Sequence, residues 1–328
     1  MKVLVTGATG LIGNAVAKQL ARKGTHVRAL VRDPVRAKKL LPEGIELVAG
    51  DITDESSVKD AVRGTEAVFH AAGMPEQWQK DDTVFDRVNR GGTKNVLRAA
   101  LAEKVGRVIY TSTMDVFAAP SGGTLVETNV DPDEKPSAYE RSKQAAEREA
   151  DAVCKEGLDV VFLNPSAVYG PSPVHIALNS FFVQLLNGKM PLVPPGGMAI
   201  VYVDGVADAH VAALERGKPG ERYLLSDRHA TNAELAAAIC AIEGKGRKVP
   251  SNAPVWLMKA LAAISAPLAR VFGFTPLIAP GQLSFLLWNA SVDARKATRE
   301  LGFVATPLED GAKKTIAFLQ GEGLVPKA

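Results

Sequence analysis

Cysteine is almost missing from this chain. The two thiols, Cys154 and Cys240, stand far apart within stretches of helical pattern. No disulfide framework is therefore expected, and a reducing compartment suits the sequence. Histidine is scarce too, with five residues, none at the spacing of a metal site, so no metal is expected. No run of five or six like charges occurs, and the formal net charge is +3 over 328 residues. So small and dispersed an excess argues against nucleic acid as a partner. The N-terminus lacks a basic and then apolar leader, which predicts a cytoplasmic location. Hydrophobic residues make up 46% and charged residues 23%, the balance of a globular chain with a sizeable core.

Long apolar runs are also rare. The exception is Trp256–Leu268, within a segment spanning 253–274. Lys259 and Arg270 interrupt this segment and Pro267 breaks it, which makes it a poor membrane span. Three readings remain open: a core helix, a lid over an apolar substrate, or a helix lying on a membrane surface.

What is abundant is punctuated order. Val3-Leu4-Val5 is a short β-branched run suited to a strand buried on both faces. It runs through Thr6-Gly7-Ala8-Thr9-Gly10-Leu11-Ile12-Gly13 into an amphipathic stretch ending at Arg22. Gly7 permits a tight turn, Gly10 leaves room for phosphates, and Gly13 lets the helix pack close to the strand. Free amides and the helix dipole then attract a diphosphate.

Strand patterns recur at Lys2–Thr6, His26–Val31, Ile45–Val48, Ala67–His70, Arg107–Thr111 and Asp159–Leu163. Helical patterns separate them at Leu11–Arg22, Val35–Leu41, Ser56–Val62, Val84–Glu103 and Ser137–Lys155. This alternation predicts an α/β fold, a Rossmann doubly wound parallel sheet, with a smaller, mostly helical C-terminal substrate lobe. The expected boundaries are 1–165 for the dinucleotide domain, with 201–225 returning to it, and 166–200 plus 226–328 for the lobe. Val201–Val203 reads as a strand, with Asp204 capping a helix over 205–215.

Tyr139 and Lys143 are four residues apart on a helical pattern and so share a face. A phenol has an unperturbed pKa of about 10, and a neighbouring ammonium favours the phenolate. Bringing it near neutrality takes about 4 kcal/mol. The strand Arg107–Thr111 leads into Thr111-Ser112-Thr113, whose hydroxyls face the ligand crevice of a parallel sheet.

With these parts in this order, the chain resembles the extended short-chain dehydrogenases/reductases, the NAD-dependent epimerase/dehydratase superfamily. In look it is similar to dihydroflavonol reductase and 3β-hydroxysteroid dehydrogenase-like proteins. The resemblance implies that Gly7, Thr9, Gly10, Leu11, Ile12 and Gly13 hold the dinucleotide, and that Asp51 and Ile52 contact its adenine. Ala71, Ala72 and Gly73 are placed beside the cofactor, and Asn89 becomes a structural asparagine. Thr113, Tyr139 and Lys143 form the catalytic set, with Thr111, Pro165 and Val168 next to the nicotinamide and Ser166 and Tyr169 toward the substrate. Two departures stand out: threonine rather than the commoner serine at 113, and Asp115-Val116-Phe117 where sugar-modifying relatives carry Val-Tyr-Gly.

Arg32 ends the second strand, with Lys38 and Lys39 beyond it. An arginine there accommodates a 2′-phosphate, and Val31-Arg32-Asp33-Pro34 resembles the NADPH-using reductases. NADP(H) is favoured, while Asp33 leaves NAD(H) open. The later third is apolar at Trp256, Leu257, Leu261, Ile264, Phe272, Phe274, Phe285, Leu286, Leu287 and Trp288. It is sparse in cations, with Lys245, Arg247, Lys248, Lys259 and Arg270. The leading expectation is an oxidoreductase interconverting a carbonyl and a secondary alcohol on a hydrophobic small molecule. The alternatives are a nucleotide-sugar epimerase or dehydratase, and a non-catalytic NAD(P)-binding sensor or scaffold. The helical stretches Val84–Glu103 and Ser137–Lys155 are the expected faces of a homodimer.

Overall fold

The computed structural model describes all residues except 76–77, 173–176, 245, 273–282, 284, 286 and 328. Lys245, Phe274, Leu286 and the end of the 253–274 segment therefore lie outside the described residues, as do the side chains of Arg270 and Phe272.

Short apolar runs become the central sheet. Its strands are β1 (Lys2–Thr6), β2 (His26–Val31), β3 (Glu46–Ala49), β4 (Ala67–His70), β5 (Arg107–Thr111), β7 (Val160–Pro165) and β10 (Arg222–Leu225). Their order is β10-β7-β5-β4-β1-β2-β3, and every pairing is parallel. The order reverses at β1 and β4, and a ligand crevice opens outside the strand carboxyl ends at such a switch point. The helices α1 (Leu11–Arg22), α2 (Pro34–Leu40) and α3 (Glu55–Val62) are the first crossovers. Phe69, Ile109 and Phe162 are fully buried in the sheet, and each such side chain stabilises the fold by roughly 2 kcal/mol.

The stretch expected as one helix over 84–103 is continuous helical backbone, in which α4 (Thr83–Phe85) and α5 (Gly92–Ala102) are joined through a π turn over Asp86–Gly91. Asn89 is buried within this π turn. After the short strand β6 (Thr124–Leu125) comes α6 (Ala138–Lys155), opened by a capping box between Ser137 and Glu140.

Residues 201–202 end a strand of a small second sheet, while the helix and strand within 203–225 pack on or join the large one. On either side of α7 (Ala177–Leu186) in the chain, the strands β8 (Ala167–Tyr169) and β9 (Gly197–Tyr202) pair in a small sheet with β11 (Arg228–Thr231). Next, α8 (Val203–Arg216) packs on α1, and β10 forms the edge of the large sheet. Asp204 does not cap this helix, which starts one residue earlier; Asp204 lies in its first turn, where an acid favours the dipole. Arg222 ties β10 to α6 by bonding Glu147 at 3.0 Å and Asp151 at 2.9 Å. The C-terminal lobe carries α9 (Asn232–Glu243), α10 (Val255–Phe272), β12 (Ser291–Val292), α11 (Arg295–Leu301) and α12 (Leu308–Gly321). One core cluster joins α7, α9 and α12 through Phe182, Leu235, Ile239 and Ile316.

Candidate active site

The glycine turn is built to leave no room for side chains. A Cβ on Gly13 would sit 2.2 Å from the Gly7 carbonyl oxygen, and Gly7 has φ +73 with the Ala71–Ala72 backbone 2.6–2.7 Å from where a Cβ would go. Asn14 donates to the carbonyls of Ala8 and Leu40 at 3.2 and 3.1 Å, fixing the turn from below. No side chain caps the start of α1, and no acid lies in its first turn. A bare helix start of this kind suits a diphosphate. The residues present therefore fit a dinucleotide.

Across the crevice, β4 is locked to β1. The ring of His70 lies between the hydroxyls of Thr6 at 2.7 Å and Thr93 at 2.9 Å. Burial pushes His70 down to about 3, so the ring is neutral. This fixes Ala71 and Ala72 beside the glycine turn, while Gly73 faces the Asn89 side chain. Asp51 accepts from the amide and hydroxyl of Thr53 at 2.8 Å, and Ile52 is buried against Gly92.

At the end of β2, Arg32 and Asp33 are both exposed. The Asp33 carboxylate caps α2 by accepting from the Arg36 amide at 3.0 Å. Arg32 is left exposed at the strand end, and Lys39 is exposed in the last turn of α2.

The reacting end forms around Lys143, which is 8% exposed. Its ammonium donates to the Thr111 carbonyl at 3.1 Å and lies 5.3 Å from the centre of the Tyr110 ring. Burial pushes its pKa down to about 8, against the opposite pull of Glu147 and Asp115. At neutral pH it is still an ammonium. Tyr139 stands one helical turn away, half-buried, with Phe85 edge-on to its ring at 6.1 Å. Asn89 holds this turn of α6. It donates to the Ser142 hydroxyl at 2.9 Å, which donates to the Tyr139 carbonyl at 2.6 Å. The same amide group bonds both backbone groups of Met74, at 2.7 and 3.1 Å.

Some expected contacts point elsewhere. The Thr111 hydroxyl engages His210 at 2.8 Å, and its carbonyl is taken by Lys143, so both polar groups serve the fold. Tyr169 is wholly buried, stacked on Phe182 and edge-on to Tyr202, with its hydroxyl against Gly311. That places it in the core, with none of its surface exposed. Ser166 and Pro165 are buried at the end of β7, Val168 is half-buried, and the Ser166 hydroxyl has no partner.

The model of the NAD dependent epimerase/dehydratase family matches residues 3–226. The chain belongs to this family. It is 30% identical over 98% of its length, and 95% of the relative's, to a protein of Synechocystis sp. named "Putative dihydroflavonol 4-reductase". It is 29% identical to sterol demethylase protein B of Methylococcus capsulatus, covering 99% of this chain and all of that one. The crystal structure of gox2253 superposes with a TM-score of 0.81 at 29% identity, over 99% of both chains. The protein is thus an enzyme of the extended short-chain dehydrogenase/reductase family, with a Rossmann-like fold.

For a member of this family, one residue of the site escaped the reading of the sequence. Asp115, two positions after Thr113, is buried and accepts the Thr113 hydroxyl at 2.8 Å, while its other carboxylate oxygen has no partner. Its amide donates back to the Thr113 oxygen at 3.3 Å. Burial pushes its pKa up to about 6; the bond from Thr113 works the other way, Glu140 adds to the rise, and Lys135 and Lys143 oppose it. A carboxyl raised above its ordinary 3.8 favours the fold at low pH and loses that contribution as pH rises through 6. Asp115→Asn is therefore expected to flatten the decline of stability between pH 4 and 7. At pH 7.5 it should stabilise the protein by up to about 3 kcal/mol. Chemical denaturation across pH measures this, and an unchanged slope would refute the assignment.

Proposed function

We propose that the protein interconverts a carbonyl and a secondary alcohol on an apolar small molecule, with Tyr139 transferring the proton. The observation that carries this reading is the buried Lys143 ammonium, held at the carboxyl end of β5 one turn from Tyr139. A positive charge so placed favours the phenolate and makes the phenol a competent acid and base near neutrality.

When bound, the dinucleotide supplies or accepts the hydride. In the reducing direction the Tyr139 hydroxyl gives its proton to the substrate oxygen, and the ammonium beside it steadies the phenolate left behind. In the oxidising direction the phenolate takes the alcohol proton. Thr113 orients the substrate oxygen. Its hydrogen points to Asp115 and one lone pair receives the Asp115 amide. It therefore presents its remaining lone pair to an alcohol and must rotate to donate to a carbonyl.

The character of the lobe supports an apolar substrate. Phe285, Trp288 and Val292 pack against Met114, Val116 and Phe117, the loop that follows Thr113. The Trp288 ring is fixed there by donating to the Ala119 carbonyl at 2.8 Å. Arg247, a cation that a sugar diphosphate might otherwise draw on, is engaged by Glu243 and by the carbonyls of Leu185 and Leu186. The names of the Synechocystis and Methylococcus relatives refer to a dihydroflavonol and a sterol, both sparsely charged ring compounds.

For the cofactor, the capping role of Asp33 leaves Arg32 to meet the ribose end, which supports NADP(H) over NAD(H). Arg32→Ala should weaken NADPH binding by roughly tenfold or more and leave NADH nearly unchanged. Titration with both cofactors checks this, and equal losses would remove the 2′-phosphate role.

Tyr139→Phe should lower turnover by about 10²-fold or more while dinucleotide affinity stays near that of the parent. The assay is nicotinamide absorbance over sterol-like, flavonoid-like and short ketones, with nucleotide sugars as the contrasting set. Normal turnover in the variant would overturn the proton-transfer role. Turnover of nucleotide sugars without net redox change would overturn the substrate class.

A further inference from the structure

The helix α10 turns its apolar side outward. Met258 and Ala262 are buried in a small cluster with Ala253 and Leu283. On the opposite side Trp256 is 71% exposed, Ile264 62% and Leu268 43%. At 100° per residue Trp256, Ala260, Ala263, Ile264 and Pro267 share one face, and positions 259 and 270, a lysine and an arginine, run along its border. The exposed Val255 continues the surface toward the Val193–Asn252 bridge, where Leu192 is also exposed.

Charge sets this region apart. From Gly244 to Val292 the sequence has no Asp or Glu and five Lys or Arg. The chain's small positive excess is thus concentrated here, and the remainder is net negative. An exposed tryptophan and aliphatic stripe bordered by cations, with no acid near in sequence, is the composition of a helix that lies in a lipid headgroup region. A second copy of this face would bring like charges together. Among the described residues no helix is long and apolar enough to cross a membrane, so any such helix rests on the surface.

We propose that the outward face of α10 is a docking surface for an anionic lipid bilayer. Trp256, Ile264 and Leu268 enter the acyl boundary while Lys259 meets the headgroups, within a stretch of sequence that is net positive. This assignment stands apart from the identity of the substrate.

The test is co-sedimentation of the full chain with vesicles of pure phosphatidylcholine and of phosphatidylcholine mixed with phosphatidylglycerol. Binding to the mixed vesicles should be at least about tenfold tighter, at roughly fivefold per cation engaged, and should fall steeply as salt rises. The pair Trp256→Ser and Ile264→Ser should weaken it by about tenfold or more. Lys259→Glu, which leaves the apolar face intact, should weaken it severalfold. Both variants should keep the parent's unfolding temperature and dinucleotide affinity. Should the double variant not fold, Lys259→Glu and the salt dependence decide the matter alone. The proposal is overturned if the parent does not sediment with the mixed vesicles, or if the variants sediment as it does. It is equally overturned if the substitutions change only self-association or capture of an acidic protein.

Discussion

A buried ammonium bonded to a backbone carbonyl organises the proposed reacting end of this molecule. Lys143 is largely withdrawn from bulk water, and its bond to the Thr111 carbonyl fixes the side chain at the carboxyl end of β5. A charge in such a place costs free energy unless it is paired and hydrogen-bonded. The surrounding parts supply that compensation. Glu147, one turn further along α6, and Asp115 both draw the charge in. Glu147 is itself held by Asn164 at 2.8 Å and by Arg222 at 3.0 Å. The returning strand β10, far along the chain, thus supports the helix that carries Tyr139.

The same economy of placement governs the cofactor end. The steric limits at Gly7 and Gly13 force strand, turn and helix into contact. Two buried neutral histidines then fix the sheet around the crevice, His70 between β1 and α5, and His210 between β5 and α8. Each is neutral because burial disfavours the charged ring. They are structural bolts and not proton carriers, although each lies close in space to the reacting groups.

Much of this was legible before any coordinates. Strands β1, β2, β4 and β5 coincide with their sequence patterns, because a doubly buried parallel strand needs a continuous apolar run that few other structures tolerate. The Tyr139–Lys143 face followed from helical spacing alone. What stayed hidden depends on contacts between distant segments. The π turn at Asn89 arises from its bonds to Met74 and Ser142, which no local pattern encodes. The burial of Tyr169 depends on α12 closing over it, and Gly311, the residue that makes room, lies 142 positions away in the chain. Asp115 looked like a departure in a motif, and only its burial beside Thr113 gives it a role.

The central claim is that Lys143 is a desolvated ammonium coupled to the reacting groups. Nitrogen-detected NMR of the protein labelled at lysine, with the Lys143 signal assigned by its absence in Lys143→Met, follows that one group through a pH titration. The account predicts a midpoint near 8, well below the ordinary value of 10.5. A Lys143 signal that titrates with the exposed lysines would contradict it.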